Sequence, residues 1–527
     1  MASQIVIAPL VVALLTAIVT LFVRQFPKIQ RGVSLAGAGA YLVSVVLLAD
    51  AVSHQSIMVY QLSNWPAPFG ITLVADALSV FMLSITAVVS LAAVVFSVRF
   101  MSERAQRVSY HSLYHLMVVG ITGSFLTGDI FNLFVWFEVL LLSSYVLVVF
   151  YSGPEHTRAA LQYTVLNLLG SAVMLLAIGG LYATTGTLNM ADMARRLANP
   201  HQFGIDLVPV LGLTALLFCV FALKAGIVPF QFWVPAAYRA APAPVSAMLA
   251  GVVKKVGIYA IIRLYFTVFA AATLPVGLSL PGFVGDSFLS FFGPILFIMA
   301  AGSILLGGIG ALSRVDLDGV LAYSSIGQIG FVVLPLAVAA TVPKVRALGI
   351  AAALIYALNH AFAKSMLFLA SGTIKEAVGS VNFADISGLM QRTPVLSIGF
   401  FVGALSLIGI PPLAGFFGKL FVFQTTANAG VLGGRGATIA LGLSLFGAIL
   451  TIAYFTRAWN RGFWGTQSEG VETATYSPAL VGVVVALALS LVVVGIGFEP
   501  VLEAANAAAG AALDRGAYVS AVLGGGG

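Results

Sequence analysis

Charge is scarce in this chain. Only 8% of its 527 residues are Asp, Glu, Lys or Arg, against about 25% in soluble globular proteins. A soluble domain is therefore excluded for most of its length. Cysteine is scarcer still. Cys219 stands alone, which rules out an intrachain disulfide, a haem-attachment motif and a cysteine-ligated cluster. Placed mid-helix, it reads as a small buried apolar residue. No phosphate loop, nucleophile triad or paired acid/base cleft is recognisable. No metal site is expected either, because no second His, Cys or carboxylate stands at ligand spacing to His360. A cofactor is likewise not expected. The connections between apolar runs are too short to hold an inserted soluble domain. The net charge of +7 sits mostly in those short connections, so it does not indicate nucleic acid.

What fills the chain is apolar sequence. Hydrophobic residues make up 60% and the mean hydropathy is +1.06. The fold class that follows is an all-α polytopic membrane protein, with the lipid bilayer as its surroundings. At about 20 apolar residues per crossing, the chain divides into about fourteen transmembrane helices. The run from Ile5 to Val23 is expected to be retained as the first of them. It is long enough to span, and its basic flank follows it. With the N-terminus outside, thirteen loop lysines and arginines fall inside and seven outside: Arg195, Arg196, Arg263, Lys344, Arg346, Arg435 and Arg515. That asymmetry favours both termini outside.

The polar residues within the apolar runs carry the functional signal. Five lysines, one carboxylate (Glu138) and one histidine (His360) are read as deep. A lysine in a bilayer core costs roughly 2.5–3.5 kcal/mol on insertion scales. The stretch Phe221–Tyr259 combines that cost with another. It holds Lys224, Lys254 and Lys255 around Pro229, Pro235, Pro242 and Pro244. Helix 7 must break at Pro229, and a broken helix at membrane depth persists only inside protein or beside water. Helix 12 is expected to break at Pro411 and Pro412, near Lys419. Gly226-Ile227-Val228-Pro229 echoes Gly409-Ile410-Pro411-Pro412, five helices apart. An odd offset implies opposite topology, the plan of inverted-repeat transporters.

Glu138, two turns into helix 5, is expected to pair with Lys224, so that approach of the lysine switches its hold on a proton. Lys254 and Lys255 point about 100° apart. Lys255 is taken as the path residue, with Gly251 giving room and Tyr259 a hydroxyl. His360 and Lys364 share a face at i and i+4. Ser324 and Gln328 give helix 10 a polar face suited to lining water. Asp76 lies at a membrane end, where it shapes an entrance or caps. The proton path then runs Glu138, Lys224, Lys255, His360 or Lys364, Lys419, with Lys254, Tyr259, Ser324, Gln328 and Asp76 as further candidates.

These segments resemble the antiporter-like subunits shared by respiratory complex I and the Mrp-type multisubunit cation/proton antiporters. The likeness runs from Tyr110 to Phe463 through TGDIFNLFVWFE, LKAGIVPFQFW, APAPVSAMLAGVVKKVGIYA, LAYSSIGQIG, NHAFAKSMLFLASG and GIPPLAGFFGK. It implies fourteen helices and two inverted five-helix repeats with broken helices 7 and 12. The domains are then 1–110 (helices 1–3), 111–270 (helices 4–8), 271–470 (helices 9–13) and 471–527 (helix 14 and tail). The implied relay residues are Glu138, Lys224, Lys255, His360, Lys364 and Lys419. Tyr238 and Pro242-Ala243-Pro244-Val245-Ser246 resemble the D-type branch of the Mrp antiporters rather than complex I. The implied function is proton translocation in sodium/proton exchange at the cell membrane, by a secondary transporter rather than an enzyme. Its partners would be a large A-type subunit and several small ones, and its ions protons, with sodium as a further candidate. The alternative is a pumping, non-redox subunit of complex I or a membrane-bound hydrogenase.

Overall fold

The computed structural model describes residues 2–274 and 287–524. Almost all of it is helical. The helices at the expected positions are α1 (Ala8–Phe22), α2 (Pro27–Gln55), α3 (Ala77–Phe100), α4 (Tyr110–Leu126), α5 (Ile130–Val148) and α6 (Pro154–Thr185). Then come α7 in two halves (Leu207–Ala225 and Trp233–Ala240), α8 (Ala243–Ala271), α9 (Phe288–Leu312), α10 (Leu317–Thr341) and α11 (Arg346–Val378). The series closes with α12 in two halves (Pro394–Ile408 and Ala414–Val431), α13 (Ala437–Ala458) and α14 (Pro478–Ile496). Two short C-terminal helices follow, α15 (Glu499–Leu513) and α16 (Arg515–Leu523). Among the described residues, eleven helical stretches are long and apolar enough to cross a membrane. Reaching fourteen requires α1, α4 and the broken α12 as well.

The apolar sequence ahead of α3 does not all join the helix. Residues Thr72–Asp76 form strand β2, paired antiparallel with β1 (Ile57–Gln61). α3 begins only at Ala77, where Asp76 caps it by accepting from the Ser79 amide. The hairpin touches both the first turn of the chain and α16, so the two ends of the chain meet at one end of the bundle.

Helices α8, α10 and α11 form the interior. The apolar windows of α8 and α10 are 100% and 94% buried, whereas that of α14 is 33% buried and faces outward. This arrangement buries the lysine-bearing faces of α8 and α11. Cys219 is corrected: it is exposed on the outer face of α7.

The two helix breaks are built alike. Each first half ends at a glycine with positive φ, Gly226 (64°) and Gly409 (95°), a conformation glycine adopts without a Cβ penalty. In each the following isoleucine amide bonds back five residues, Ile227 to the Ala222 carbonyl and Ile410 to that of Leu405. A second pair of matching features lies elsewhere. Asp129 caps α5 and Asp316 caps α10. The Ile130 amide bonds the Leu188 carbonyl and Met190 that of Gly128, while Leu317 bonds Val381 and Phe383 bonds Val315. The first clamp adjoins the hairpin through the Leu73–Thr127 bridge. The second adjoins Arg239, 3.4 Å from Asp316, at the other end of the bundle.

Candidate functional site

The breaks bring α7 and α12 into the interior as half-helices, and polar side chains gather where their ends stop. Lys224 is 3% exposed, and Lys254, Lys255 and Lys364 are fully buried. At such burial each ammonium must be held by protein oxygen.

The first station differs from expectation. Glu138 and Lys224 do not pair directly. Ser171 of α6 stands between them, its hydroxyl donating to the Glu138 carboxylate. Lys224 Nζ donates to Ser171 Oγ and to the Asn167 carbonyl, both at 3.2 Å. Glu138 is only half-buried, so its other side faces out of the subunit. A void of about 10 Å³ adjoins Lys224, Asn167, Trp233 and Val253, close to the space one water occupies. The helix 7 break is satisfied by protein rather than left open, since Trp233 Nε1 donates to the Leu223 carbonyl at 2.8 Å. Ser171→Ala would remove the hydroxyl that links Glu138 to Lys224.

Lys254, to which the sequence assigns no clear role, reaches across to α10. Its Nζ donates to the Ser325 carbonyl at 3.0 Å. Its stem passes beneath the helix 7 break, where a Cβ on Gly226 would stand 3.2 Å from Lys254 Cε. Lys254 thus joins the region of Lys224 to α10.

Lys255 meets α11. Its Nζ donates to the Ala250 carbonyl at 2.7 Å and lies 2.6 Å from His360 Nδ1. At that separation the two nitrogens share one hydrogen, so one of them accepts. His360 Nε2 is buried with no partner among the described residues. The room expected at Gly251 is taken by α11, because a Cβ there would meet Ser365 Oγ at 2.1 Å.

One turn along α11, Lys364 Nζ donates to Ser324 Oγ at 2.5 Å and to the Leu321 carbonyl at 3.0 Å. The polar face of α10 is therefore real at Ser324. Gln328 continues it, donating to Tyr454 at 2.7 Å and to Thr451 at 3.2 Å, and accepting from Tyr356. Lys419 closes the series. Its Nζ donates at 2.9 Å to the Ile408 carbonyl, at the end of the first half of α12. A cation at a helix C-terminus is favourably placed. Asn359 braces this break by accepting from Ser406, whose hydroxyl takes the Gly415 amide.

Tyr259 and Asp76 belong elsewhere. The Tyr259 hydroxyl donates to the Phe125 carbonyl and receives Arg263 Nε at 3.3 Å. Arg263 grips Asp76 at 2.6 and 2.7 Å. The loop tally places Arg263 outside, yet it is 1% exposed within α8, and Asp76 is fully buried. Glu138 is thus not the only carboxylate enclosed among the apolar helices. Nor is His360 the only deep histidine: His111 and His115 of α4 are buried around Ser34. Removing Arg263 from the outside tally leaves thirteen against six, by subtraction from the seven outside residues.

Sequence reasoning misses Ser171, Asn167, Arg263 and Asn359. A signal exists for the first two. α6 and α11 end in matched caps, Gly186 and Gly379. At the same offset, Tyr163, Asn167 and Ser171 fall on Tyr356, His360 and Lys364. One half carries its lysine on the facing helix, the other on the helix itself.

Comparison with known proteins now decides the family. Residues 127–446 match the family described as NADH:quinone oxidoreductase/Mrp antiporter, TM. The chain belongs to that family. Within it, the likeness is to the D-type members of the Mrp antiporters. The chain is 32% identical to the D-type Na(+)/H(+) antiporter subunit of Alkalihalophilus pseudofirmus, over 99% of both chains. It is 33% identical to that of Bacillus subtilis, again over 99% of both. A chain in the structure of the Mrp complex from Dietzia superposes with a TM-score of 0.86 at 28% identity, over 99% of each. A chain of an archaeal membrane-bound sulfane sulfur reductase gives 0.87 at 26% identity, covering 99% of this chain and all of that one.

Proposed function

We propose that this chain is the proton-translocating subunit of a multisubunit sodium/proton antiporter. The observation that carries the reading is the run from half-buried Glu138 to the buried Ser171, Lys224, Lys254, Lys255–His360, Lys364 and Lys419. They are carried by α5, α6, α7, α8, α11 and α12, and the lysines are held by hydroxyls, carbonyls and, for Lys255, His360 rather than by fixed carboxylate partners. A lysine held by neutral oxygens can gain or lose its proton without stranding an anion. Sodium prefers a cage of oxygens, and one part-exposed carboxylate among five lysines does not make one. Protons therefore travel this path.

In this reading helices 4–8 (residues 111–270) and 9–13 (residues 271–470) are inverted repeats, and fourteen helices cross the membrane. The matched breaks and matched clamps at opposite ends of the bundle support that plan. Both termini face outside the plasma membrane, in keeping with the basic residues of the opposite loops. The partners are a large A-type subunit and small subunits, as expected for a relative of a chain from a Mrp complex. The subunit is a transporter component, not an enzyme.

A second reading, the pumping subunit of a redox complex, is favoured by the superposition on the sulfane sulfur reductase chain. Co-purification separates the two. Cluster-bearing or quinone-reducing neighbours support the second, and their absence alongside A-type and small subunits supports the first. Glu138→Ala in the whole complex should abolish sodium/proton exchange in vesicles; near-normal exchange would refute the relay.

A further inference from the structure

A cavity of about 350 Å³ lies at the end of the bundle opposite the hairpin, between the second half of α7 and the start of α8 on one side and α11 on the other. Its rim carries exposed charge: Arg239, Lys375 and Glu376, with His156 and Tyr151 beside them. Its floor is the edge-on pair Tyr238 and Phe368, centroids 5.4 Å apart, both buried. One carboxylate, Asp318 in the first turn of α10, stands half-buried in the wall. Its Oδ1 accepts from Ser371 of α11 at 2.5 Å.

The position of Asp318 is informative. Three residues further along α10 is Leu321, whose carbonyl holds Lys364 Nζ, and the next turn presents Ser324 to the same ammonium. Three residues amount to about 4.5 Å of helix rise. On α11, Lys364, Phe368, Ser371 and Lys375 follow at i, i+4, i+7 and i+11, which is one face. The same helix face thus runs from the relay lysine to the cavity rim. Arg239 is drawn off by Asp316 at 3.4 Å. That leaves Lys375 and His156 as the remaining cationic or titratable neighbours on the rim, besides Glu376 and Tyr151.

We propose that this cavity is the mouth through which the relay exchanges protons with solution, and that Asp318 is the group that carries them between it and Lys364. The proposal rests on the relay reading. The step balances simply. The Lys364 ammonium gives a proton, through water, to the Asp318 carboxylate, leaving an amine and a carboxylic acid. The acid then releases its proton to water in the cavity and returns to carboxylate. The reverse sequence loads the relay. In the proposed orientation the mouth opens to the cytoplasm.

Chemical rescue tests it. The whole complex carrying Asp318→Asn is reconstituted in proteoliposomes, and proton flux driven by a sodium gradient is followed with a trapped pH dye. Exchange should fall about tenfold or more while assembly on a native gel is unchanged. Formate, at a level that leaves wild-type exchange unaltered, should restore most of it, because a small carboxylic acid fits the cavity and can carry the proton. Wild-type exchange by Asp318→Asn overturns the proposal. So does a loss that formate does not restore, which would mark Asp318 as structural. Lys224→Ala in the same preparation separates the two levels. If it too exchanges normally, the relay itself has failed; if it is dead and beyond rescue while Asp318→Asn is normal, only the mouth has. Should Asp318→Asn not assemble, Ala243→Cys in a Cys219→Ser background serves instead. A bulky charged thiol reagent added from the Arg239 face should then block exchange, and continued exchange after complete labelling overturns the proposal.

Discussion

Lys224→Ala should abolish sodium/proton exchange by the assembled complex, and Lys224→Arg should fail almost as badly. Among the described residues, Lys224 is the cation that meets the Glu138–Ser171 pair. With alanine there, Ser171 keeps its bond to the carboxylate but nothing passes a proton onward toward α8. The expected loss is about 100-fold or more, the scale of removing a positioned acid–base group. The arginine variant discriminates between roles. A guanidinium keeps the charge and can still bond Ser171 and the Asn167 carbonyl, but it does not release its proton in a protein. If Lys224 served only as a fixed counter-charge to Glu138, Lys224→Arg would exchange at a substantial rate. Everted vesicles reporting internal pH on sodium addition give the reading. A native gel confirms that the complex is present in equal amount.

Asp76→Ala should remove most of the folded subunit from the membrane. Arg263 is buried within α8 and draws both of its strong contacts from Asp76. Deleting the carboxylate leaves an arginine enclosed without its partner, which costs about 3–5 kcal/mol. It also removes the cap of α3, worth roughly 1 kcal/mol. Against a marginal stability this is a large fraction of the total. Subunit level on an immunoblot, and the melting temperature of the detergent-extracted complex, should both fall. The double variant Asp76→Ala with Arg263→Met should recover much of the loss, because no charge is then stranded. If the single variant is as stable as wild type, the pair is not holding the hairpin end of the bundle together.

Much of this architecture is legible in the sequence because intramembrane charge and proline are expensive. Lys224, Lys255, Lys364 and Lys419 stand out against apolar surroundings, and each is buried and held by oxygen or, for Lys255, by oxygen and His360. The breaks at Pro229 and Pro411-Pro412 are visible for the same reason. What escapes notice is polar but uncharged, or charged but near a helix end. Ser171 and Asn167 lie in α6 among leucines and glycine, where a hydroxyl or amide is an ordinary helix–helix contact. Only their register with His360 and Lys364 gives them away. Arg263 is misplaced because it stands close to the end of an apolar run, where arginine usually snorkels to water. Its burial depends on Asp76, 187 residues earlier, which sits at the end of a β-hairpin formed from apolar sequence just before α3. Glycine roles are also displaced. Gly251 admits Ser365 rather than leaving room for Lys255, while Gly415 and Gly418 admit Ser406 and Tyr356. Lys254 gains its place only from the fold, since nothing in its own helix indicates the Ser325 carbonyl across the bundle.

A proton that moves within this one subunit from Glu138 to Lys419 needs water between the side chains. The most direct measurement is a structure of the whole assembled complex at a resolution that shows ordered water. Water should bridge the Lys224–Ser171 site to Lys254 and Lys364, continue along Ser324 and Gln328 to Lys419, and reach the solution beside Asp318. A dry, side-chain-filled gap between Lys224 and Lys364 in every state of the transport cycle would contradict the relay.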